Sequence, residues 1–398
     1  MKWCAAFSFF AVVTSACALQ AEDSMLPGDT LPAGVRKVKD VVIYEDARFH
    51  SAFPSVVMGK NKEILVAFRR APDRRIFGEP GTNHVDPNSS LVMVRSKDVE
   101  NWTAEPGLLY AHPFGGSQDP CMLKLKDGTL LCSSYGWAFV LPSGIPNLKK
   151  PFLQVDRAIF LGGYLLRSFD GGDTWKGPLY PPHIDPEINF TALGDPLPAY
   201  NRGALCETKS GKICWAVAAT DSESNRKTSV HLLVSDKKGE SWKYLSVIAA
   251  DPKASFNETS LYETPKGDLV AFLRTAGLND QACIARSTDG GKTFGKWEGM
   301  GFAGHPLHAL RLPDKRVLLT YGYRHEPYGI RARILNAECT DFTTAPEMVL
   351  RNDGESGDLG YPWSVVLDKK HVLVVYYFAG KSKVRHIAGT ILELGNEE

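Results

Sequence analysis

Beyond residue 21 the chain has no convincing amphipathic helical period, which excludes a helical bundle and argues against alternating helices and strands. No apolar run is long enough to cross a membrane as a helix. An excess of charge of one sign is also missing. The 46 Lys and Arg against 45 Asp and Glu leave a formal net charge of +1, so there is no electrostatic case for nucleic acid or an anionic membrane as partner. No cysteine spacing matches a zinc site. Linker-like and low-complexity tracts are absent, so although 398 residues could hold two or three domains, nothing divides them.

What is present is turn chemistry and short apolar strands. The 36 Gly and 25 Pro suit an all-β protein. The first 21 residues form a separate unit. Lys2 precedes an apolar run over residues 3–13, no acidic residue occurs before Glu22, and Ala16-Cys17-Ala18 or Leu19-Gln20-Ala21 offers a cleavage site. This is the pattern of a secretory signal peptide. It predicts a secreted or periplasmic protein with a mature chain of residues 22–398. Lipid anchoring at Cys17 is the less favoured route, because Thr14 stands where Leu is usual. Export leaves Cys121, Cys132, Cys206, Cys214, Cys283 and Cys339. The pairs Cys121/Cys132 and Cys206/Cys214 each flank a hairpin turn, and either disulfides or buried free thiols fit them.

Two repeats fix the architecture. Ser168-Phe-Asp170-Gly-Gly172-Asp-Thr-Trp175 and Ser287-Thr-Asp289-Gly-Gly-Lys-Thr-Phe294 are copies of the Asp-box. Ser235-Asp-Lys-Lys-Gly239-Glu-Ser-Trp242 is a worn copy, and Ser96-Lys-Asp98-Val-Glu-Asn-Trp102 is one residue shorter. In this motif Ser and Asp bond backbone across a tight turn and Gly supplies positive φ. The second repeat is an apolar strand, a polar turn and another apolar strand, over residues 54–68, 120–135, 203–217, 259–272, 306–321 and 362–377. Runs such as Ile64-Leu-Val-Ala-Phe68 and Val372-Leu-Val-Val-Tyr376 are β-branched or aromatic and too short for helices. Six such units predict an all-β, six-bladed β-propeller, its ring closed by pairing of residues 38–49 with 384–394.

Inner strands of a propeller converge on the axis, so residues at the start of the first strand and the end of the second are the site candidates. Blade 1 offers Arg69, Arg70 and a loop with His84 and Asp86; blade 2 offers Gln118, Asp119 and Tyr135; blade 3 offers Arg202. Blade 4 offers Glu258 and Arg274, and blade 5 offers His305, His308, Tyr321, Tyr323, Arg324, Arg331 and Arg333. Blade 6 offers Asp358, Tyr361 and Tyr376. Arginines, carboxylates and tyrosines around one axis describe a pocket for a polar, anionic ligand, because guanidinium forks match carboxylates.

At these residues the chain resembles the sialidase superfamily, whose members are six-bladed Asp-box propellers, and the resemblance covers essentially the whole mature chain. The segment Asn257-Glu258-Thr-Ser-Leu-Tyr with Phe-Leu-Arg274 after the hairpin is similar to the one carrying the catalytic Glu and the second arginine of the carboxylate-binding triad. Gly360-Tyr361-Pro-Trp is similar to the segment of the nucleophilic tyrosine. Gly329-Ile-Arg331-Ala-Arg333 occupies the place of the third arginine, with Arg333 preferred. The resemblance implies Tyr361 as nucleophile, Glu258 as its base and Asp86 as acid/base. It implies a glycan substrate with a terminal acidic sugar, hydrolysed without metal or cofactor. One departure stands out. Ser51-Ala52-Phe53-Pro54 aligns with Phe-Arg-Ile-Pro, so the first triad arginine is Ala52 here. The extra His305, His308, Tyr323 and Arg324 on blade 5 suggest a site retuned for another sugar.

Two other readings stay open on the same fold. One is a uronate lyase that abstracts a proton with Tyr or His; the other is a carbohydrate-binding propeller without catalysis. Oligomeric state leaves no mark in the sequence.

Overall fold

Each of the six apolar hairpins forms the inner half of an antiparallel blade, five of the blades four-stranded and blade 2 six-stranded, and the six make a propeller. The structure is a computed structural model that describes residues 31–79, 84–154, 158–221, 227–380 and 383–395. The signal-peptide segment and Cys17 lie outside the described residues. Blade 1 runs outward through Phe49–Met58, Ile64–Pro72, Ser90–Ser96 and Gly107–Tyr110. Blade 2 begins with the short strands Gly116–Ser117 and Cys121–Lys124, both paired with Leu130–Phe139, and continues through Ala158–Ser168 to Lys176–Leu179. Blade 3 comprises Cys206–Glu207, Ile213–Thr220, Thr228–Ser235 and Lys243–Ala249. Blade 4 comprises Ser255–Glu263, Leu269–Ala276, Gln281–Ser287 and Glu298–Ala303. Blade 5 comprises Leu307–Arg311, Val317–Tyr323, Gly329–Leu335 and Glu347–Arg351.

Blade 6 closes the ring. Gly360–Val366, His371–Phe378 and His386–Leu394 come from the end of the chain, and Val35–Tyr44 from its beginning is the outermost strand. Val35 pairs with Leu394 and Tyr44 with Ile387. The closing strand ends a few residues before the sequence suggests, because Asp46 turns the chain. Its carboxylate accepts from Arg48 N at 2.9 Å and its carbonyl accepts from Phe49 N at 3.0 Å. Phe49 then opens the innermost strand of blade 1.

Blades pack face to face, so their second strands are buried on both sides and read as unbroken apolar runs. All of residues 64–68 and 372–378 are buried. The Asp-boxes sit at the turns between third and fourth strands, at the rim. Ser168 Oγ donates to Asp170 at 2.8 Å and accepts from Gly172 N at 2.8 Å, and the Ser287 copy repeats both bonds. In the worn copy Lys237 replaces the Asp, and Ser235 Oγ still accepts from Gly239 N at 3.0 Å. All six cysteines are free thiols. Cys206 does face Cys214 across its strands, whereas Cys121 faces Ser133 and Cys132 faces Met122, one residue out of register. None of the helices among the described residues is long and apolar enough to span a membrane.

Backbone contact between blades leaves no room for side chains at some glycines. A Cβ on Gly203 would lie 1.9 Å from Thr259 O, where blade 3 meets blade 4. No rotamer relieves a clash with backbone, so Gly203→Ala is expected to lower unfolding free energy by roughly 1–3 kcal/mol. Gly144→Ala, whose added methyl meets nothing within 4 Å, should leave it unchanged; denaturant unfolding of both variants checks this.

Candidate active site

Backbone irregularities aim the central side chains. In blade 4, Asn257 pairs with Arg274 and Thr259 with Leu273, so Glu258 is the extra residue of a β-bulge. Blade 6 does the same between Gly360 and Trp363, and blade 1 between Ala52 and Ser55. In each of these two bulges an aromatic residue precedes proline and adopts positive φ, 52° at Tyr361 and 58° at Phe53. Proline gives no N–H to the ladder, so the strand is free to bulge there. Left-handed backbone at a bulky residue costs about 1–3 kcal/mol and persists where surrounding structure enforces it. The two rings meet edge to face, 4.8 Å apart.

Tyr361 Oη donates to Glu258 Oε1 at 2.6 Å. Arg274 Nη1 donates to Tyr361 Oη at 3.0 Å and also bonds the second oxygen of Glu258. Two more guanidiniums face the Tyr361 ring, Arg202 at 4.4 Å and Arg324 at 5.2 Å from its centroid. Arg202 comes from blade 3 and crosses the axis, donating to Pro54 O at 3.1 Å and Tyr361 O at 3.4 Å. It therefore lies against the blade 1 strand in which Ala52 replaces an arginine. Arg324 is fixed by Leu359 O at 3.1 Å and Tyr377 Oη at 3.1 Å.

These neighbours set the protonation states. Burial and the Glu258 charge push the Tyr361 phenol well up, against the arginines. Burial also works to raise the Glu258 carboxyl, but Arg274 and Arg202 outweigh it and the net shift is downward. Asp119, 1 % exposed, goes the other way. Burial and repulsion from Glu258 raise it to about 6, against the pull of Arg202 and the 3.0 Å bond from Tyr135 Oη. One buried carboxylate is thus charged while a nearby one holds its proton longer, a division of labour found where acid and base chemistry share a site.

These residues line a cavity of about 460 Å³, within the usual size of small-molecule sites. Arg202, Arg274 and Arg324 supply one wall; Trp137, Phe152 and Tyr200 supply an aromatic one. The aromatic wall carries no mark in the sequence beyond its rings, and it was found only through the fold. Among the described residues no group of three or more His, Cys, Asp or Glu converges as a metal site.

Of the residues singled out from sequence, Tyr361, Glu258, Arg274, Arg324, Arg202, His84, Gln118, Asp119 and Tyr135 come together in the cavity. Asp86 does not line it. Both its oxygens are held by Arg74, at 2.7 and 3.0 Å, and one also caps Asn88 N at 2.8 Å. His84 and Val85 of that loop do reach the cavity, and His84 Nε2 is 2.9 Å from Asp358 Oδ1. Asp358 also accepts from Tyr377 Oη at 2.9 Å and Arg385 Nε at 2.9 Å, with His50 Nε2 at 3.4 Å. Burial opposes its charge, yet the hydrogen bonds from His50 and His84 win and hold the carboxyl far below the usual range.

Arg331 and Arg333 lie on the third strand of blade 5, one strand too far from the axis. Arg333 donates to Tyr321 Oη at 3.1 Å and covers Phe302. Arg331 donates to Arg351 O at 2.5 Å and covers Tyr323, its guanidinium 4.8 Å from the ring centroid. Arg70 points away from Arg69 by strand alternation and stacks on Phe49 at 4.5 Å. Arg69 points inward but is fully buried behind Phe53, 5.8 Å from its ring, and none of its nitrogens has a hydrogen-bond partner among the described residues. His308 accepts from Ser364 N at 3.2 Å and stacks on Trp363, while His305 is buried 3.3 Å from Asp280.

The model of the BNR repeat-like domain family matches residues 154–374. The structure is similar to that of a protein of unknown function from Dyadobacter fermentans DSM 18053, at 70% identity and a TM-score of 0.89, covering 91% of this chain and 100% of that one. It is also similar to the NanB sialidase of Streptococcus pneumoniae, at 12% identity and a TM-score of 0.61, covering 89% of this chain and 70% of the sialidase. An α-L-arabinanase of Penicillium chrysogenum matches at 14% identity and a TM-score of 0.60, covering 90% and 98%. These two distant likenesses establish the fold and its sialidase-like arrangement. No curated protein sequence matches the chain.

The raised Asp119 carboxyl has a consequence for stability. Asp119 binds its proton more tightly folded than unfolded, so stability falls as pH rises from about 4 through about 6 and the full penalty remains above that. Asp119→Asn is therefore expected to stabilise the fold at pH 7.5 by on the order of 1–3 kcal/mol and to change it little at pH 4. Denaturant unfolding at the two pH values tests the sign.

Proposed function

The chain belongs to the BNR repeat-like domain family, and on that premise we propose that it is an exported, exo-acting glycoside hydrolase that cleaves a terminal acidic sugar, sialic acid or a relative. The observation that carries this reading is the 2.6 Å bond from Tyr361 Oη to Glu258 with Arg274 touching both. A carboxylate nucleophile would be repelled by a substrate whose anomeric carbon itself bears a carboxylate, whereas a neutral phenol is not. Glu258 takes the phenol proton as Tyr361 Oη attacks the anomeric carbon. Arg274 at the hydroxyl and Arg202 and Arg324 over the ring favour negative charge on that oxygen, and so also favour its later departure.

Arg274 and Arg324 in the cavity wall are the groups to hold the sugar carboxylate. Ala52 removes one arginine from this set, and the approach of Arg202 to Pro54 restores cationic charge at the same place. Trp137, Phe152 and Tyr200 in the same lining supply apolar faces for a sugar ring. Export follows from the apolar run over residues 3–13, and the sialidase fold of a distant structural neighbour supports the substrate class.

Hydrolysis of 4-methylumbelliferyl α-sialoside by the mature protein tests the reading. Tyr361→Phe and Glu258→Gln should each lower kcat/KM by about 10³-fold or more, with the fold retained. Incorporation of solvent oxygen into the free sugar marks hydrolysis, and an unsaturated, ultraviolet-absorbing product would mark a lyase instead.

A further inference from the structure

A hydrolase of this kind needs a second proton-transfer group, one that protonates the departing oxygen, and Asp86 is occupied by Arg74. The leaving group is still attached to the rest of the glycan, so its oxygen must point toward the open side of the cavity. Two cavity-lining side chains of acid/base type stand outside the Tyr361–Glu258–arginine set, Asp119 and His84. Asp119 is buried, bonded by Tyr135 and 4.0 Å from Arg202. The His84 side chain is 45 % exposed.

His84 is also held in place from three sides. Its ring stacks on Phe53 at 5.5 Å with an interplanar angle of 28°, its carbonyl accepts from Gln118 Nε2 at 2.5 Å, and its Nε2 meets Asp358 at 2.9 Å. Asp358 is anchored in turn by Tyr377, Arg385 and His50. With Nε2–H directed at a fixed carboxylate, Nδ1 is the nitrogen left to exchange a proton with substrate.

We propose that His84 is the acid/base of this site and that Asp358 positions it, an inference that rests on the hydrolase reading. In the first step Tyr361 Oη bonds to the anomeric carbon as its proton passes to Glu258. The glycosidic C–O bond breaks, and its electron pair on the leaving oxygen takes the proton from His84 Nδ1. In the second step neutral His84 takes a proton from water as that water's oxygen attacks the anomeric carbon. The bond to Tyr361 breaks, and the phenolate regains its proton from Glu258. Asp358 carries no proton in either step.

The test compares leaving groups. His84→Asn should lower kcat/KM for a sialoside linked to galactose by about 10²–10⁴-fold, but for 4-methylumbelliferyl α-sialoside by less than about tenfold, because that phenol departs without help. With the aryl substrate, added azide should raise the variant's kcat and give a glycosyl azide, since azide needs no general base. Asp358→Asn should show the same dependence on leaving group in weaker form. Equal losses on both substrates in His84→Asn, or the leaving-group split in Asp119→Asn instead, would overturn the assignment while leaving the hydrolase reading intact. No turnover of either substrate by the wild type would remove both.

Discussion

Everything at the axis depends on Arg274 lying between a buried carboxylate and a buried phenol. Taking Glu258 out of water is costly, and a carboxylate left there unpaired would hold a proton instead of accepting one. The guanidinium reverses that balance. It keeps Glu258 ionised, so that a base stands 2.6 Å from Tyr361 Oη. Burial, joined by repulsion from the Glu258 charge, pushes Asp119 the other way.

That pair is placed by backbone defects rather than by regular strands. A strictly alternating strand would turn Glu258, Tyr361 and Phe53 alternately into the blade interfaces. Bulges at the starts of three innermost strands release these residues toward the axis, and Pro54 and Pro362 mark two of the places. The strained conformations at Phe53 and Tyr361 survive because the two rings brace each other and Arg202 hydrogen-bonds the backbone beside both. Four rim Asp-boxes hold turns far from this chemistry and take no part in it.

Arg202, reaching from blade 3, hydrogen-bonds Pro54 O on the strand that carries Ala52 and adds a cation over the Tyr361 ring. On the other flank the Arg324–Tyr377–Asp358–His84 chain of hydrogen bonds links blades 5, 6 and 1 into one polar network. Such networks specify a single arrangement when their members are satisfied. Arg69 stands outside this network, a buried guanidinium behind Phe53 with no hydrogen-bond partner among the described residues.

By itself the sequence determined the six hairpins, pointed to ring closure by the two chain ends, and set Glu258 and Arg274 at the two ends of one hairpin. These features are legible because strand periodicity, turn residues and hairpin register are settled within some twenty residues of chain. The tertiary structure alone decided that Arg324, not Arg333, faces the cavity and that His84, not Asp86, is its neighbour from the blade 1 loop. It alone brought Arg202 across to Pro54. Alternation along a strand says which face a side chain takes, but not how far its strand lies from the axis. Nor can it say whether a carboxylate will find an arginine such as Arg74 in its own loop. Those distances exist only once the blades have closed around the axis and fixed the radius at which each strand stands.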